Sequence, residues 1–372
     1  MFAKPLNLIL VYVVTVFNVA ILFSPLVALA APFISIDNNV ITIEDNIFHK
    51  LKFAFLFICF LVSFFMLVYM VIDFLLGFSV RSSLKGCVRF EKIKDYDFLT
   101  ELFNQAKNKF GEHGVRLYIK NSDEINAYAV SSLGKKAIVL TSGLIHHYLE
   151  ECEDPKTFLY ALRSVIGHEM SHLVNKDFLP TFLIITNQKV TNFISTLLHL
   201  AFNFAIRIFT HLPIGGPLAA RTMRDSYMIL NFVLTAFNRF AVYNIYELLR
   251  RFISRSIEYR CDMQSAKAFG GQNMAFALSL LGESGYFTLF STHPKTKSRM
   301  SRVENINISG AIVKPRFVDS LANYFSLMSL VVICLYFAKK ASVDIFVRIY
   351  LQDHEVIHRK LAILWHLISQ VF

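Results

Sequence analysis

Long charge-free stretches alternate with short charged ones along this chain. No charge falls between Lys4 and Asp37, and twenty uncharged residues separate Lys52 from Asp73. Each stretch is long enough for a helix to cross the hydrocarbon core of a bilayer, which takes ~20 residues. Residues 320–338 add nineteen more without charge. Two further segments are apolar but interrupted: residues 178–209 carry Lys189 and Arg207, and residues 227–249 carry Arg239. A cation at mid-membrane is costly unless it faces protein or water. These two are therefore expected to form a membrane-associated helical hairpin that inserts only shallowly. Residues 361–372 are too short to span and read as an amphipathic or interfacial helix.

Between these stretches the pattern changes. Val115-Arg116-Leu117-Tyr118-Ile119-Lys120 alternates apolar and polar, which predicts a half-buried strand, and residues 127–130 and 137–141 predict two more. Asp154-Pro155 offers an N-cap acceptor followed by proline at the first helical position, a start for a helix running through residue 172. Gly270-Gly271 marks the end of a later helix. The expected fold class is a multi-pass membrane protein, mainly α with a small antiparallel β-sheet. Along the chain this gives an N-terminal transmembrane hairpin (1–80), a first soluble half (81–177) and the helical hairpin (178–250). A second soluble half (251–315) and a C-terminal transmembrane or interfacial extension (316–372) follow.

Composition supports a membrane protein. Hydrophobic residues make up 55% of the chain, phenylalanine alone counts 37, and mean hydropathy is +0.47, above the apolar share of an ordinary soluble domain. The first stretch could also be a signal peptide, since Ala28-Leu29-Ala30-Ala31 resembles a cleavage site. Its apolar run is longer than such peptides carry, and it reads as a retained anchor. Net charge is +11. The bases lie scattered on the flanks of the apolar stretches, without a nucleic-acid-binding module, so the bilayer surface is the expected partner and nucleic acid is not. Arg81, Lys85, Arg89, Lys92 and Lys94 directly follow the second stretch, whereas the first loop holds Asp37, Glu44 and Asp45. By the positive-inside rule residues 81–177 face the cytoplasm. The five cysteines show no CxxC pairing and suggest no disulfide framework.

The chemistry centres on His168-Glu169-Met170-Ser171-His172. Two histidines four apart share one helix face, so both rings can reach one ion, and Glu169 is placed to act as general base on a bound water. A second copy, His354-Glu355-Val356-Ile357-His358, has charged flanks and no carboxylate after it; it reads as a coincidence of composition. Zinc held by two histidines needs a third ligand. Glu258 is a candidate, and Asp262, one turn on, could accept a hydrogen bond from a ligating histidine. His293 and Arg299 could stabilise the oxyanion of a tetrahedral intermediate. Asn126 and Ala127 are candidates for a sheet edge that binds extended substrate. His146 and His147 cannot share an ion in helical geometry and read as surface or core residues.

Five blocks in order resemble the HtpX family of membrane-embedded zinc endopeptidases, gluzincin-type relatives of the prenyl-protein proteases. They are Ile125-Asn126-Ala127-Tyr128-Ala129, Val139-Leu140-Thr141-Ser142-Gly143-Leu144, residues 168–172 with Asn175 and Asp177, Glu258 with Asp262, and Thr292-His293-Pro294 with Arg299. The resemblance implies one zinc per chain on His168, His172 and Glu258, with Glu169 as base. It further implies polypeptide substrates, misfolded or damaged membrane proteins, at a bacterial inner membrane. A processing protease for one membrane or prenylated partner is the alternative enzyme. A non-catalytic scaffold keeping a structural zinc is the alternative class, and the intact Glu169 argues against it. Cys261 departs from the family's usual alanine and Lys176 from its usual glycine.

Overall fold

The computed structural model describes residues 3–37, 40–43, 45–213, 215–281 and 294–352. The chain divides into two compact units, each assembled from three stretches. One holds residues 1–18, 66–190 and 234–328, the other residues 19–65, 191–233 and 329–372. The first elements are α1 (Ala3–Ala30), a hairpin of β1 (Ile34–Asp37) and β2 (Val40–Ile43), α2 (Asp45–Leu76) and the short α3 (Phe78–Ser83). Then come β3 (Cys87–Arg89), α4 (Leu99–Phe110), β4 (Val115–Lys120), β5 (Ala127–Ser131), β6 (Lys136–Thr141), α5 (Ser142–Glu151) and α6 (Pro155–Asn175). The remainder is helical: α7 (Phe178–Thr210), α8 (Gly216–Phe237), α9 (Asn244–Phe269), α10 (Gly271–Leu280), α11 (Thr296–Val303) and α12 (Phe317–Gln352).

Among the described residues, five helical runs are long and apolar enough to cross a membrane. They are α1, α2, α7, the run Gly216–Phe269 and α12, and the protein is an integral membrane protein. A π-helical segment, Asn238–Tyr243, joins α8 to α9 without a break. The arm that begins in the expected hairpin therefore continues as the helix that carries Glu258. Expectations for residues 354–358 and 361–372, and for His293, fall outside the described residues.

A large hydrophobic core lies in the first unit. Leu99, Leu102, Phe103, Ala106 and Phe110 recur at helical spacing on α4 and are all buried, and Gly111 ends the helix with a left-handed backbone. Against them pack Val115, Leu117 and Ile119, the inward set of the alternating strand β4. Leu162, Ile166, Met170 and Leu173 of α6 close the same core. Strand order is β3-β4-β6-β5. The sheet is mixed, which corrects the expected antiparallel arrangement: β3 and β5 pair antiparallel with their neighbours, but β4 and β6 run parallel. Burial explains the order. Residues 137–141 of β6 are all buried, as suits a central strand, whereas β5 is mostly half-exposed and takes the edge. The chain leaves β4, forms the outer strand β5, and turns back to lay β6 alongside β4.

In the second unit, Ile34 pairs with Ile43 and Asp37 with Val40 in the β1–β2 hairpin. Ala28, Phe202, Ile206 and Ala220 form a small apolar cluster. Large apolar side chains such as Phe204, Ile229 and Phe232 are exposed on α7 and α8, the outward face expected of lipid-facing helices.

Candidate metal centre

Helix α6 begins as its sequence dictates. The Asp154 carboxylate accepts hydrogen bonds from the backbone N–H groups of Lys156 and Thr157, at 2.8 and 3.0 Å, and Pro155 occupies the first turn. Near its end, His168 and His172 project from one face. Helix α9 packs closely against it: a Cβ added to Gly167 would lie 2.7 Å from both Phe269 and the Ser265 hydroxyl. The Ser265 hydroxyl donates to the Ser164 carbonyl at 2.6 Å, tying the helices at that crossing. This approach brings Glu258, two turns earlier on α9, to both histidines.

The three side chains converge. The Nε2 atoms of His168 and His172 lie 3.2 Å apart, and each lies 3.5 Å from a different oxygen of Glu258. Their outer nitrogens are held by carboxylates. His168 Nδ1–H donates to Asp262 at 2.8 Å and His172 Nδ1–H to Asp177 at 2.9 Å. Those bonds fix the tautomers and turn both Nε2 lone pairs inward. Burial alone would push the His168 imidazole down, but the Asp262 and Glu258 carboxylates outweigh it. With protein groups alone its pKa is raised to about 10. A pocket that draws protons onto its histidines is one that favours a cation. The donor set of two imidazoles and one carboxylate, all within 4.8 Å of one another, fits zinc with a position left for water.

The supporting carboxylates are themselves held. Arg299 clamps Asp262 with Nε and Nη2, both at 2.7 Å, and its Nη2 lies 3.4 Å from Glu258. Arg299 was expected near the oxyanion; two of its donor atoms are on Asp262. Arg260 bonds Asp177 and, at 2.8 Å, Asp319. Burial works against the Asp177 carboxylate, yet His172 and Arg260 hold its pKa below the usual range. Lys4 reaches the same corner, donating to the carbonyls of Asn175 and Lys176. Asp177 stood in the sequence blocks without a role, and a helix end five residues after His172 was the signal available. For Lys4, Arg260 and Asp319 no local pattern announces the pairing.

His172, Asp177 and Cys261 form a second grouping with metal-ligand chemistry. It uses the other nitrogen of the same imidazole, already bonded to Asp177, and Arg260 lies on that carboxylate. A cation there would meet a guanidinium, so the grouping serves to orient His172.

Glu169 is buried beside His168 and lines two cavities, of about 440 and 270 Å³. His168, Glu258, Asn126 and Ala127 line both as well, so the ligand cluster lies where the two cavities meet. The larger follows the edge strand through Tyr128 and Ala129, and the smaller has an apolar wall that includes Leu144, Met274 and Leu278. His146 and His147 lie on α5, and His147 Nε2 is 2.8 Å from the Leu280 carbonyl, away from the cluster.

The chain is similar to a protein named "Protease HtpX homolog" from Albidiferax ferrireducens, 29% identical over 198 residues, covering 48% of this chain and 62% of that one. It is also similar to "Protease HtpX homolog 2" from Methanosarcina acetivorans, 24% identical over 209 residues, covering 49% and 63%. It thus spans less than two thirds of the length of these curated relatives. The crystal structure of S. mikatae Ste24p gives a TM-score of 0.40 at 16% identity, over 70% of this chain and 61% of that one. Residues 98–307 match the family described as Peptidase family M48. That match takes in strands β4 to β6 and every member of the ligand cluster; the chain belongs to peptidase family M48.

Proposed function

We propose that the protein is a zinc-dependent endopeptidase that cleaves extended segments of membrane or misfolded proteins. The observation that carries this reading is the convergence of His168 Nε2, His172 Nε2 and Glu258, with Glu169 beside them at the meeting of two cavities. One zinc would be held by His168, His172 and Glu258. When bound, it supplies a Lewis acid and a water of lowered pKa. Glu169 would serve as the base that accepts a proton from the attacking water and as the acid that returns it to the leaving amine. Of the two edge candidates, Asn126 has its main-chain N–H and carbonyl engaged with Thr141, and Ala127 on the edge strand offers main-chain groups to an extended peptide, which would run from one cavity to the other. An edge of this kind accepts only chain that is already unfolded, which favours damaged or misfolded substrates over folded ones. Arg299 is a positioning residue in this scheme, because its guanidinium is engaged with Asp262. His293, outside the described residues, is the candidate to stabilise the oxyanion. The basic cluster from Arg81 to Lys94 favours a cytoplasmic site at a bacterial inner membrane.

The test is Glu169→Gln in the full chain, purified in detergent. Casein-type proteolysis should fall to background while zinc stays near one per chain, since the three ligands remain. Wild-type turnover in this variant would sink the mechanism.

A further inference from the structure

A cavity of about 810 Å³ is distinct from the two at the ligand cluster. Arg255, Arg260, Lys267, Arg302, Lys314 and Arg316 line it, and among the described residues no carboxylate does. Protein surfaces ordinarily intersperse both signs. Two of these cations are neutralised from behind: Arg260 by Asp177 and Asp319, and Arg316 by Asp319 at 3.0 Å. Among the described residues, Arg255, Lys267, Arg302 and Lys314 have no carboxylate within ion-pair distance.

The wall is built rather than loose. The Arg302 guanidinium stacks 3.8 Å over the Tyr259 ring, and the Tyr259 hydroxyl is 2.9 Å from Ser298. The segment bearing Lys314 is pinned at both ends. Ser309 N–H donates to the Lys267 carbonyl at 2.7 Å, Val313 N–H to the Lys109 carbonyl at 2.8 Å, and the Gln264 amide to the Lys314 carbonyl at 3.2 Å. Cations gathered on a wall of pinned backbone, with no carboxylate among the described lining residues, make a site for a polyvalent anion.

The rim identifies the anion. Phe252, Met263 and Ile312 line the same cavity and are exposed. Arg316 is followed at once by α12, whose first residues begin a candidate membrane span. A cationic wall beside exposed apolar side chains, at the end of a span, matches an amphiphile seated at the membrane surface. We infer that this cavity binds the phosphate-bearing headgroup of an anionic membrane lipid.

The inference does not rest on proteolysis, and its test reads binding. The detergent-solubilised full chain is titrated with short-chain phosphatidylglycerol, short-chain phosphatidylcholine, inorganic phosphate and polyglutamate, following the melting temperature. Phosphatidylglycerol should raise it at concentrations where the other three do not. Lys267→Gln with Lys314→Gln should weaken that response about 25-fold, roughly fivefold per cation. Both side chains are exposed, and an unchanged melting temperature without lipid shows that the variant folds. If it melts lower, Lys314→Gln alone should give the fivefold loss. Equal stabilisation by phosphatidylcholine would mean a general lipid effect and overturn the inference. Phosphate alone matching phosphatidylglycerol would make this a free-anion site, and polyglutamate matching it would point to an acidic polypeptide. Either outcome removes the lipid, as does unchanged phosphatidylglycerol affinity in the double variant.

Discussion

One helix, α9, carries two opposite chemistries on its two sides. Glu258 and Asp262 face α6, where each is matched by a histidine and by Arg299. Arg255, Tyr259, Met263 and Lys267 lie on another side, where, among the described residues, four cations of the cavity lack an acidic partner. On the acidic side almost every charge is spent internally, so removing one group strands another in a buried setting. On the basic side the charges face outward, and removing one relieves repulsion. Substitutions on the two sides of the same helix should therefore differ in kind.

The largest effect belongs to the acidic side. Glu258→Ala should remove a ligand and leave His168 and the half-buried His172 without the carboxylate they share, abolishing both zinc content and proteolysis. Lys267→Gln, little more than two turns along the same helix, should leave zinc at one per chain. Metal analysis of the two purified variants checks the contrast, and zinc loss in both would erase it. Next comes Arg299→Lys. Lysine keeps the charge but loses the two-armed clamp on Asp262, so zinc affinity should drop roughly 10- to 100-fold, as for other groups that orient a metal-bound histidine. A chelator competition assay reads this directly. An effect on turnover with unchanged zinc affinity would instead give Arg299 an oxyanion role.

Sequence reading reached the acidic side far better than the basic one. The HExxH spacing, the Asp154-Pro155 start and the pair at 258 and 262 are local patterns, and one helical turn suffices to interpret each. The alternation in β4 was equally legible. The basic cavity was not, because its six cations come from positions 255 to 316 and gather only when the segment after α11 folds against α9. They read instead as charge scattered on membrane flanks. The parallel pairing of β4 with β6 was missed for a similar reason: periodicity assigns strands, but strand order depends on which one is buried on both faces. The β1–β2 hairpin was also passed over, although Ile34-Ser35-Ile36-Asp37 alternates and Val40-Ile41-Thr42-Ile43 is all β-branched. Their position between two long apolar stretches hid them. Lys4 reaches Asn175 across 171 positions, a pairing no local pattern can announce.

A smaller effect sharpens the acidic side through pH. His168 has its pKa raised from 6.5 to about 10 with protein groups alone: burial lowers it, and Asp262 and Glu258 more than compensate. A raised folded-state pKa stabilises the metal-free protein fully below 6.5, and that contribution is lost as pH climbs through about 10. Zinc needs the neutral ring, so it must displace this proton across the whole window. Apparent zinc affinity should rise about tenfold per pH unit for each proton displaced. The melting increment from a fixed free zinc concentration should therefore grow with pH between these limits. A flat increment would show that the histidines are already neutral and that the carboxylates do not draw in a proton.

The smallest effect tests how the acidic side is anchored at the end of α6. Lys176 is the one non-glycine residue with positive φ among the described residues, at φ 54° and ψ 46°. That left-handed residue turns the chain so that Asp177 N–H meets the His172 carbonyl at 3.2 Å, and so that the Asp177 carboxylate returns to the His172 ring. Any L-residue there suffers a steric clash of its Cβ with the backbone, which glycine avoids. Lys176→Gly should keep the turn, because the Lys176 contact with Lys4 is made by the backbone carbonyl. It should stabilise the protein by about 0.5–1 kcal/mol, somewhat offset by the greater freedom of glycine in the unfolded chain. Zinc content should not change. Lys176→Val should do the reverse, since a β-branched residue tolerates positive φ least. Equilibrium denaturation of both variants gives the sign. If glycine destabilises while valine does not, the left-handed turn is not what holds Asp177 against His172, and Arg260 with Lys4 must hold it alone.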